Sequence, residues 1–202
     1  MSTIEWAAFV INVVCVYLIV REKDINWPIG VLGSLALAWV FWEGKLYAQL
    51  GLQVFYVVEC LYGWWKWTQK DQLSGIKLVR IGRTRAKMGW WLTLIGVAGV
   101  AVLYPIFRWT DDPAPFWDSV ITIASLIAEY MLCLKLLESW SLYLAADLVS
   151  LVVLGALGMW VTFGTYLVFS VLCAMGVREW INRHQKASII TAQPVAEEVL
   201  VP

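Results

Sequence analysis

The sequence predicts an all-α polytopic membrane protein with seven transmembrane helices. Of its 202 residues, 61% are hydrophobic and only 15% are charged, and the mean hydropathy is +0.71. The apolar residues fall into blocks of roughly 20, which is the length of helix that spans the hydrocarbon core of a bilayer. A helical bundle satisfies the backbone hydrogen bonds of such segments internally. These observations together favour a bundle of membrane-spanning helices.

Hydropathy and the positions of the charged and glycine residues define the spans in order. Glu43, Gly44 and Lys45 form a short turn between the second and third spans, and Gly158 lies at the joint of the last two. The segment 181–202 is predicted to be a disordered cytoplasmic tail. The seven predicted spans are Ile4–Val20, Trp27–Trp42, Leu46–Trp65, Met88–Phe107, Phe116–Leu136, Ser141–Met159 and Trp160–Trp180.

Basic residues predict the orientation in the membrane. Segment 68–87, between the third and fourth spans, is rich in Lys and Arg. On the opposite side of the membrane, only Lys45 and Arg108 lie beside the span ends. The positive-inside rule places the basic segment in the cytoplasm. We therefore expect a multi-pass membrane protein with its N-terminus outside and its C-terminus in the cytoplasm.

An internal repeat appears when the chain is compared with itself at an offset of 113 residues. The matches put glycines at equivalent places and tryptophans at both ends of each unit. They predict two parallel three-helix repeats, 1–67 and 116–180, joined by a linking span at 88–107. Binding sites in transporters with such repeats lie between the units near the middle of the membrane. The matched pairs are Trp27/Trp140, Leu35/Leu148, Val40/Val153, Gly51/Gly164, Val58/Val171, Cys60/Cys173, Gly63/Gly176 and Trp67/Trp180.

Several function classes find no support in the chain. The formal net charge is zero, which suggests no nucleic-acid partner. The four cysteines are scattered without metal-ligand spacing, there is no phosphate-binding GxxxxGK[ST] loop, and the single histidine, His184, lies near the C-terminus. We therefore predict a protein that is not an enzyme and has no cofactor or bound metal.

Three carboxylates lie inside predicted spans. Glu59, Glu129 and Asp147 are each several residues from the nearest span end, and no Lys or Arg lies mid-span to pair with them. Charged groups there cost about 2.5–3.5 kcal/mol on insertion scales, so they indicate a functional site. Each is expected to be protonated, hydrogen-bonded, exposed to a water-filled cavity, or directed at a cationic substrate.

The sixth span carries two rings and a carboxylate on one helical face. Trp140, Tyr143 and Asp147 follow at i, i+3 and i+7. Aromatic faces and a carboxylate together suit a flat organic cation, and both attractions strengthen where water is excluded. The alternative is a packed aromatic face with Asp147 protonated or bonded to a hydroxyl.

A second polar face lies in the third span. Gln49, Gln53 and Tyr56 follow at i, i+4 and i+7 and offer hydrogen bonds to a polar ligand. Polar side chains of this kind also join helices to one another within a bundle. Glu59 is offset from this face and is a candidate proton-binding or polar site.

Two segments carry a resemblance to a known family. Residues 26–67, NWPIGVLGSLALAWVFWEGKLYAQLGLQVFYVVECLYGWWKW, resemble the first repeat of the PnuC-type (Pnu) bacterial vitamin transporters. Residues 115–150, beginning PFWDS, resemble their second repeat. The resemblance extends over nearly the whole chain except the tail. It implies seven spans with the architecture of the SWEET sugar transporters, and assembly as a homotrimer.

The resemblance also implies a function and a site. Its members are facilitators that carry an unphosphorylated vitamin, which a cytoplasmic kinase then traps by phosphorylation. The family's Trp-x-x-Trp-x-x-x-Asn signature falls on Trp140, Tyr143 and Asp147, so here Tyr replaces the second Trp and Asp replaces the Asn. Nicotinamide riboside is the best-known substrate, and other members carry thiamine, riboflavin or deoxynucleosides.

The substrate prediction combines the resemblance with the carboxylates. Nicotinamide riboside and thiamine are both aromatic cations, and the aminopyrimidine of thiamine also pairs well with a carboxyl group. We expect facilitated diffusion of nicotinamide riboside, with thiamine as the alternative. The expected site places the ring between Trp140 and Tyr143, with Asp147 and Glu129 supplying charge and Gln53 a hydrogen bond. A membrane vitamin receptor or scaffold that does not transport is the alternative from another class.

Overall fold

The structure is a computed structural model that describes residues 3–43, 47–70, 75, 77, 79–110 and 112–192. Within these ranges it contains seven α-helices. Their bounds are α1 Thr3–Val20, α2 Asn26–Glu43, α3 Tyr47–Thr68, α4 Ala86–Arg108, α5 Pro115–Cys133, α6 Glu138–Ala156 and α7 Trp160–Ala192. The seven predicted spans therefore each correspond to one helix. The predicted turn residues Gly44 and Lys45 lie outside the described residues.

The helices suit a membrane environment. Among the described residues, α4, α5, α6 and the first 28 residues of α7 are long and apolar enough to cross a bilayer, and α1 contributes the shorter apolar segment Phe9–Val20. Large apolar side chains such as Val152 and Trp160 are exposed along these helices. An apolar outer surface of this kind is stable only against lipid or another protein.

Helix packing divides the bundle into two sets. Within the first set α2 packs against both α1 and α3, and within the second α6 packs against both α5 and α7. The sets meet where α1 contacts α7 and where α3 contacts α5. Helix α4 contacts only α5 among the described helices, and none of its residues is buried.

Two helix ends differ from the predicted span ends. Helix α5 stops at Cys133, three residues before the predicted end, because Lys135 adopts a left-handed conformation with φ of 53°. Helix α7 continues to Ala192, so the first part of the predicted disordered tail is helical. The extension contains no Gly or Pro before Ala192 to interrupt it. Residues 193–202 lie outside the described residues.

The segment before α4 closes against the α5–α6 joint. Gly82 and Leu136 form a parallel bridge, with Gly82 N–H donating to the Lys135 carbonyl and Leu137 N–H donating to the Gly82 carbonyl. Glu138 then accepts hydrogen bonds from the Thr84 backbone and hydroxyl, both at 2.8 Å. These contacts fix the start of α4 beside the start of α6, although α4 does not pack on α6.

Candidate functional site

Buried polar side chains from both helix sets converge in the middle of the bundle. Gln53 is 7% exposed, Glu59 is 9% exposed and Asp147 is 6% exposed. Because polar groups without partners are costly at this depth, their contacts define what the site can do.

Tyr143 and Glu129 form a hydrogen-bonded pair between α6 and α5. The Tyr143 hydroxyl donates to Glu129 Oε2 at 2.5 Å. Tyr56 of α3 lies within electrostatic range of Glu129 and of Tyr166 in α7. The hydrogen-bonded pair itself belongs to the second helix set, and Tyr56 adds a residue of the first set to its surroundings.

Asp147 occupies a separate position, about one turn beyond Tyr143 along α6. Its Oδ2 accepts a hydrogen bond from the Cys173 thiol of α7 at 3.5 Å. Tyr166 lies within electrostatic range of this carboxylate and of the Ser150 hydroxyl. A thiol is a weak donor, so the Asp147 carboxylate retains most of its capacity to accept hydrogen bonds or to pair with a cation.

Trp140 is used in packing. Its side chain is 1% exposed, and it lies directly on Gly176 of α7, where an added Cβ would collide with the indole. The ring also meets Trp180 edge to face, with centroids 5.5 Å apart. Among the described residues its Nε1 has no hydrogen-bond partner. Trp140 and Tyr143 share a helix face as predicted, but only Tyr143 is directed at a carboxyl group.

Trp27 of α2 has the same surroundings as Trp140. It lies on Gly63 of α3, meets Trp67 edge to face at 5.2 Å, and its Nε1 lacks a partner within the described residues. A glycine is required under each indole because no side chain fits between ring and backbone.

Trp67 and Trp180 bridge the two helix sets reciprocally. Trp67 Nε1 donates to the Leu132 carbonyl at the end of α5, at 3.3 Å. Trp180 Nε1 donates to the Val20 carbonyl at the end of α1, at 3.2 Å. Their ring centroids lie 6.1 Å apart. Each set therefore inserts one tryptophan into the other at the same end of the bundle.

A buried ion pair lies beside these rings. Lys135 Nζ is 2.8 Å from Glu22 Oε1, its side chain is 4% exposed, and it lies 4.3 Å from the centre of the Trp67 ring. Glu22 also pairs with Arg183 of α7 at 2.9 Å. Burial alone raises the pKa of Glu22, but the two cations outweigh it and hold that pKa below its ordinary value.

Glu22 and Lys135 are the residues of this region that sequence reasoning missed. Both have a left-handed backbone, with φ of 54° and 53°, and they are 113 residues apart. The repeat offset therefore contained the signal, since it aligns these two residues. Helix periodicity could not find them, because both lie in the turns between helices.

The remaining predicted residues are distributed around the centre. Gln53 is buried in α3, and Glu59 lies nearer the end of that helix with its Oε2 lacking a partner among the described residues. Glu59 and Glu129 interact electrostatically. The side chain of Gln49 lies outside the described part of the structure. No group of three His, Cys, Asp or Glu side chains within the described ranges is arranged to hold a metal ion.

Comparison with known proteins identifies relatives over nearly the full chain. The model of a family described as nicotinamide mononucleotide transporter matches residues 2–182. A nicotinamide riboside transporter PnuC from Escherichia coli is 24% identical, over 90% of this chain and 86% of that protein. A riboflavin/roseoflavin transporter RibM from Streptomyces davaonensis is 29% identical, over 88% of this chain and 82% of that protein.

A solved structure shares the fold. The crystal structure of the vitamin B3 transporter PnuC superposes with a TM-score of 0.67, at 18% sequence identity. The match covers 89% of this chain and 80% of that chain. At this identity the likeness concerns the fold, which is that of a helical membrane protein.

Proposed function

Because this chain belongs to the nicotinamide mononucleotide transporter family, the PnuC-type vitamin transporters, we propose that it carries nicotinamide riboside across the bacterial inner membrane by facilitated diffusion. The observation that carries this proposal is the half-buried hydrogen-bonded pair of Glu129 and Tyr143, with the buried carboxylate of Asp147 on the same helix as Tyr143. A pyridinium cation suits such an aromatic and acidic environment.

The proposed architecture consists of two parallel repeats, 1–67 and 116–180, joined by the linking span at 88–107, as in the SWEET transporters. Reciprocal contacts support it. Trp67 and Trp180 each donate a hydrogen bond to a helix of the other set. Trp27 and Trp140 lie on equivalent glycines. The contacts of α1 with α7 and of α3 with α5 also exchange under the same symmetry.

The proposed substrate site comprises the residues predicted from the sequence. Tyr143 and Asp147 contact the cationic ring, Glu129 adds charge, and Gln53 donates a hydrogen bond. Stacking on Trp140 requires this ring to move off Gly176, because it is 1% exposed in the present conformation. The further members of the proposed site are Gln49 and Tyr56, with Glu59 as a polar or proton-binding residue.

Transport follows from movement of one repeat against the other around this site. The ion pair of Glu22 with Lys135 joins the sets at the basic end of the bundle, so it separates when the site opens there. That end faces the cytoplasm in the proposed orientation, with the N-terminus outside. A cytoplasmic kinase traps the vitamin, and the transporter assembles as a homotrimer in the bilayer.

Thiamine is the second candidate substrate. Two carboxyl groups, Glu129 and Asp147, suit its cationic ring and its aminopyrimidine, and Asp147 stands where the family signature has Asn. Riboflavin is the named substrate of one relative. Because riboflavin is neutral, it explains the two carboxyl groups least.

Calorimetric titration of the purified protein with nicotinamide riboside, thiamine and riboflavin tests the substrate. We expect nicotinamide riboside to bind most tightly. Asp147→Asn should weaken its binding on the order of 10-fold, since a hydrogen bond to a charged group is worth about 1.5–3 kcal/mol. Tighter thiamine binding would select the second candidate. An unchanged affinity in Asp147→Asn would remove Asp147 from the site.

A further inference from the structure

A long apolar groove runs along the outside of the bundle between α3 and α4. Its volume is about 780 Å³, and residues of α5 form its floor. Helix α4 packs on α5 but not on α3 among the described residues, which leaves this space open along the helices. Tyr143 and Asp147 of the proposed substrate site do not line this groove, and Glu59 is the one described residue of that site that does.

The groove has the depth of one lipid leaflet. Its α4 wall extends from Met88 to Gly99, which is about 16 Å at the rise of an α-helix. The hydrocarbon core of a bilayer is about 30 Å thick, so the groove covers about half of it. The wall is made of apolar side chains that include Leu92, Ile95 and Ile127. An extended acyl chain fits this lining because it needs no hydrogen bonds.

The mouth of the groove is positively charged. Arg85 and Lys87 line it where α4 begins, and both side chains are exposed. The first turn of α4 contains no acidic residue, so the positive end of the helix dipole adds to the two cations. Among the described lining residues, Glu59 is the only acidic one. It lies in α3, nine residues before the end of that helix.

We propose that this groove binds one anionic phospholipid, with an acyl chain between α3 and α4 and the headgroup phosphate on Arg85 and Lys87. Basic pockets between membrane helices recognise acidic lipid headgroups in this way. The charge at the mouth decides between lipids, because an apolar groove alone accepts the chain of any lipid. The bound lipid holds α4 against the first helix set, which α4 does not otherwise contact in the described structure.

Native mass spectrometry of the full chain in a neutral detergent tests the headgroup. Phosphatidylglycerol and phosphatidylcholine with identical acyl chains are titrated in parallel. We expect one phosphatidylglycerol per protomer to be retained, and phosphatidylcholine to bind more weakly. The double variant Arg85→Gln/Lys87→Gln should lower the affinity for phosphatidylglycerol on the order of 10-fold or more. The control Arg80→Gln/Lys186→Gln removes two exposed cations that do not line the groove, and it should leave binding unchanged.

A second pair of variants tests the acyl chain. Leu92→Trp fills the groove, whereas Leu94→Trp adds the same ring at an exposed position of α4 outside it. Only Leu92→Trp should reduce lipid retention. Equal binding of the two lipids, equal loss in both charge variants, or equal behaviour of Leu92→Trp and Leu94→Trp would overturn the proposal. A change in the mass of the assembly in Leu92→Trp alone would instead assign the groove to a second copy of the chain.

Discussion

Two carboxyl groups of the proposed site, those of Glu129 and Asp147, differ in the hydrogen-bond donor that each one has. Glu129 has a strong donor in the Tyr143 hydroxyl, whereas the donor to Asp147 within the described part of the chain is the weaker Cys173 thiol. Sequence periodicity placed Tyr143 and Asp147 on one face of α6, because spacing along a helix fixes direction. It could not predict the partner of either side chain, since Glu129 and Cys173 are contributed by other helices. For the same reason it could not reveal that Gly176 lies under Trp140.

Replacement of Tyr143 by Phe should destabilise the protein through Glu129. The hydroxyl is the donor to a half-buried carboxyl group, and loss of a hydrogen bond between membrane helices costs about 1 kcal/mol. Thermal unfolding in detergent measures the loss. The comparison is a double-mutant cycle with Glu129→Gln, in which the effect of Tyr143→Phe should shrink because the original pair is already altered. Strictly additive effects of the two substitutions would contradict a direct interaction.

Helix pairs of the two sets meet through glycines beneath tryptophan rings. Gly63 supports Trp27 and Gly176 supports Trp140, and an added Cβ at either glycine would lie within 2.6 Å of ring atoms. The sequence predicted the seven helices and the equivalence of these glycines, because hydropathy and the 113-residue offset are both visible in the order of residues alone. The ends of α5 and α7 were not predicted, because no proline or glycine lies near Lys135 to mark the end of α5, and none follows Trp180 until Pro194, two residues beyond the end of α7.

Alanine at either supporting glycine should destabilise the bundle. The new Cβ of Gly63→Ala or Gly176→Ala would overlap an indole ring, and overpacking of this kind costs about 1–3 kcal/mol. Gly51 and Gly164 are matched controls, because they lie in the helices at the same offset and an added Cβ meets nothing within 4 Å. We expect a lower melting temperature for the first pair only. Equal melting temperatures in all four variants would argue against the close ring contacts.

The turns at the basic end contribute stability that depends on pH. Glu22 pairs with Lys135 and Arg183, which lower its pKa in the folded protein. Because the folded-state pKa is lower, the contribution is complete above the ordinary carboxyl value of 4.5. It is lost as the pH falls through the lowered value. The buried Lys135 ammonium is then left without its carboxylate.

The variant Glu22→Gln should therefore melt below the unmodified protein at neutral pH, and the difference should close in acid. Melting temperatures measured across this pH range test the prediction. Asp24→Asn is the control, because the pair of Asp24 with Lys77 is more exposed, at 33% and 37%, and exposed pairs contribute little. A difference between the unmodified protein and Glu22→Gln that is constant with pH would exclude the ionised pair as its cause.

In the molecule as a whole, each helix set makes to the other set the same kinds of contact that it receives. Trp67 and Trp180 cross between the sets in opposite directions, and Glu22 pairs with its equivalent residue Lys135. This arrangement fits a transporter whose repeats move against each other. Helix α4 stands apart, packed on α5 alone within the described structure, as a linking helix between two repeats would be. The sequence predicts a central acidic and aromatic site, which stays a prediction, whereas the contacts that join the two helix sets became visible only in three dimensions.

Uptake of radiolabelled nicotinamide riboside into proteoliposomes tests the central claim most directly. Facilitated diffusion predicts saturable entry that stops when the concentrations inside and outside are equal. It also predicts slower entry with Asp147→Asn at the same substrate concentration. Entry that responds to an imposed pH gradient would add proton coupling, with Glu59 and Glu129 as its candidate residues. Binding of the vitamin in calorimetry, together with uptake no faster than into protein-free liposomes, would contradict transport and favour a receptor.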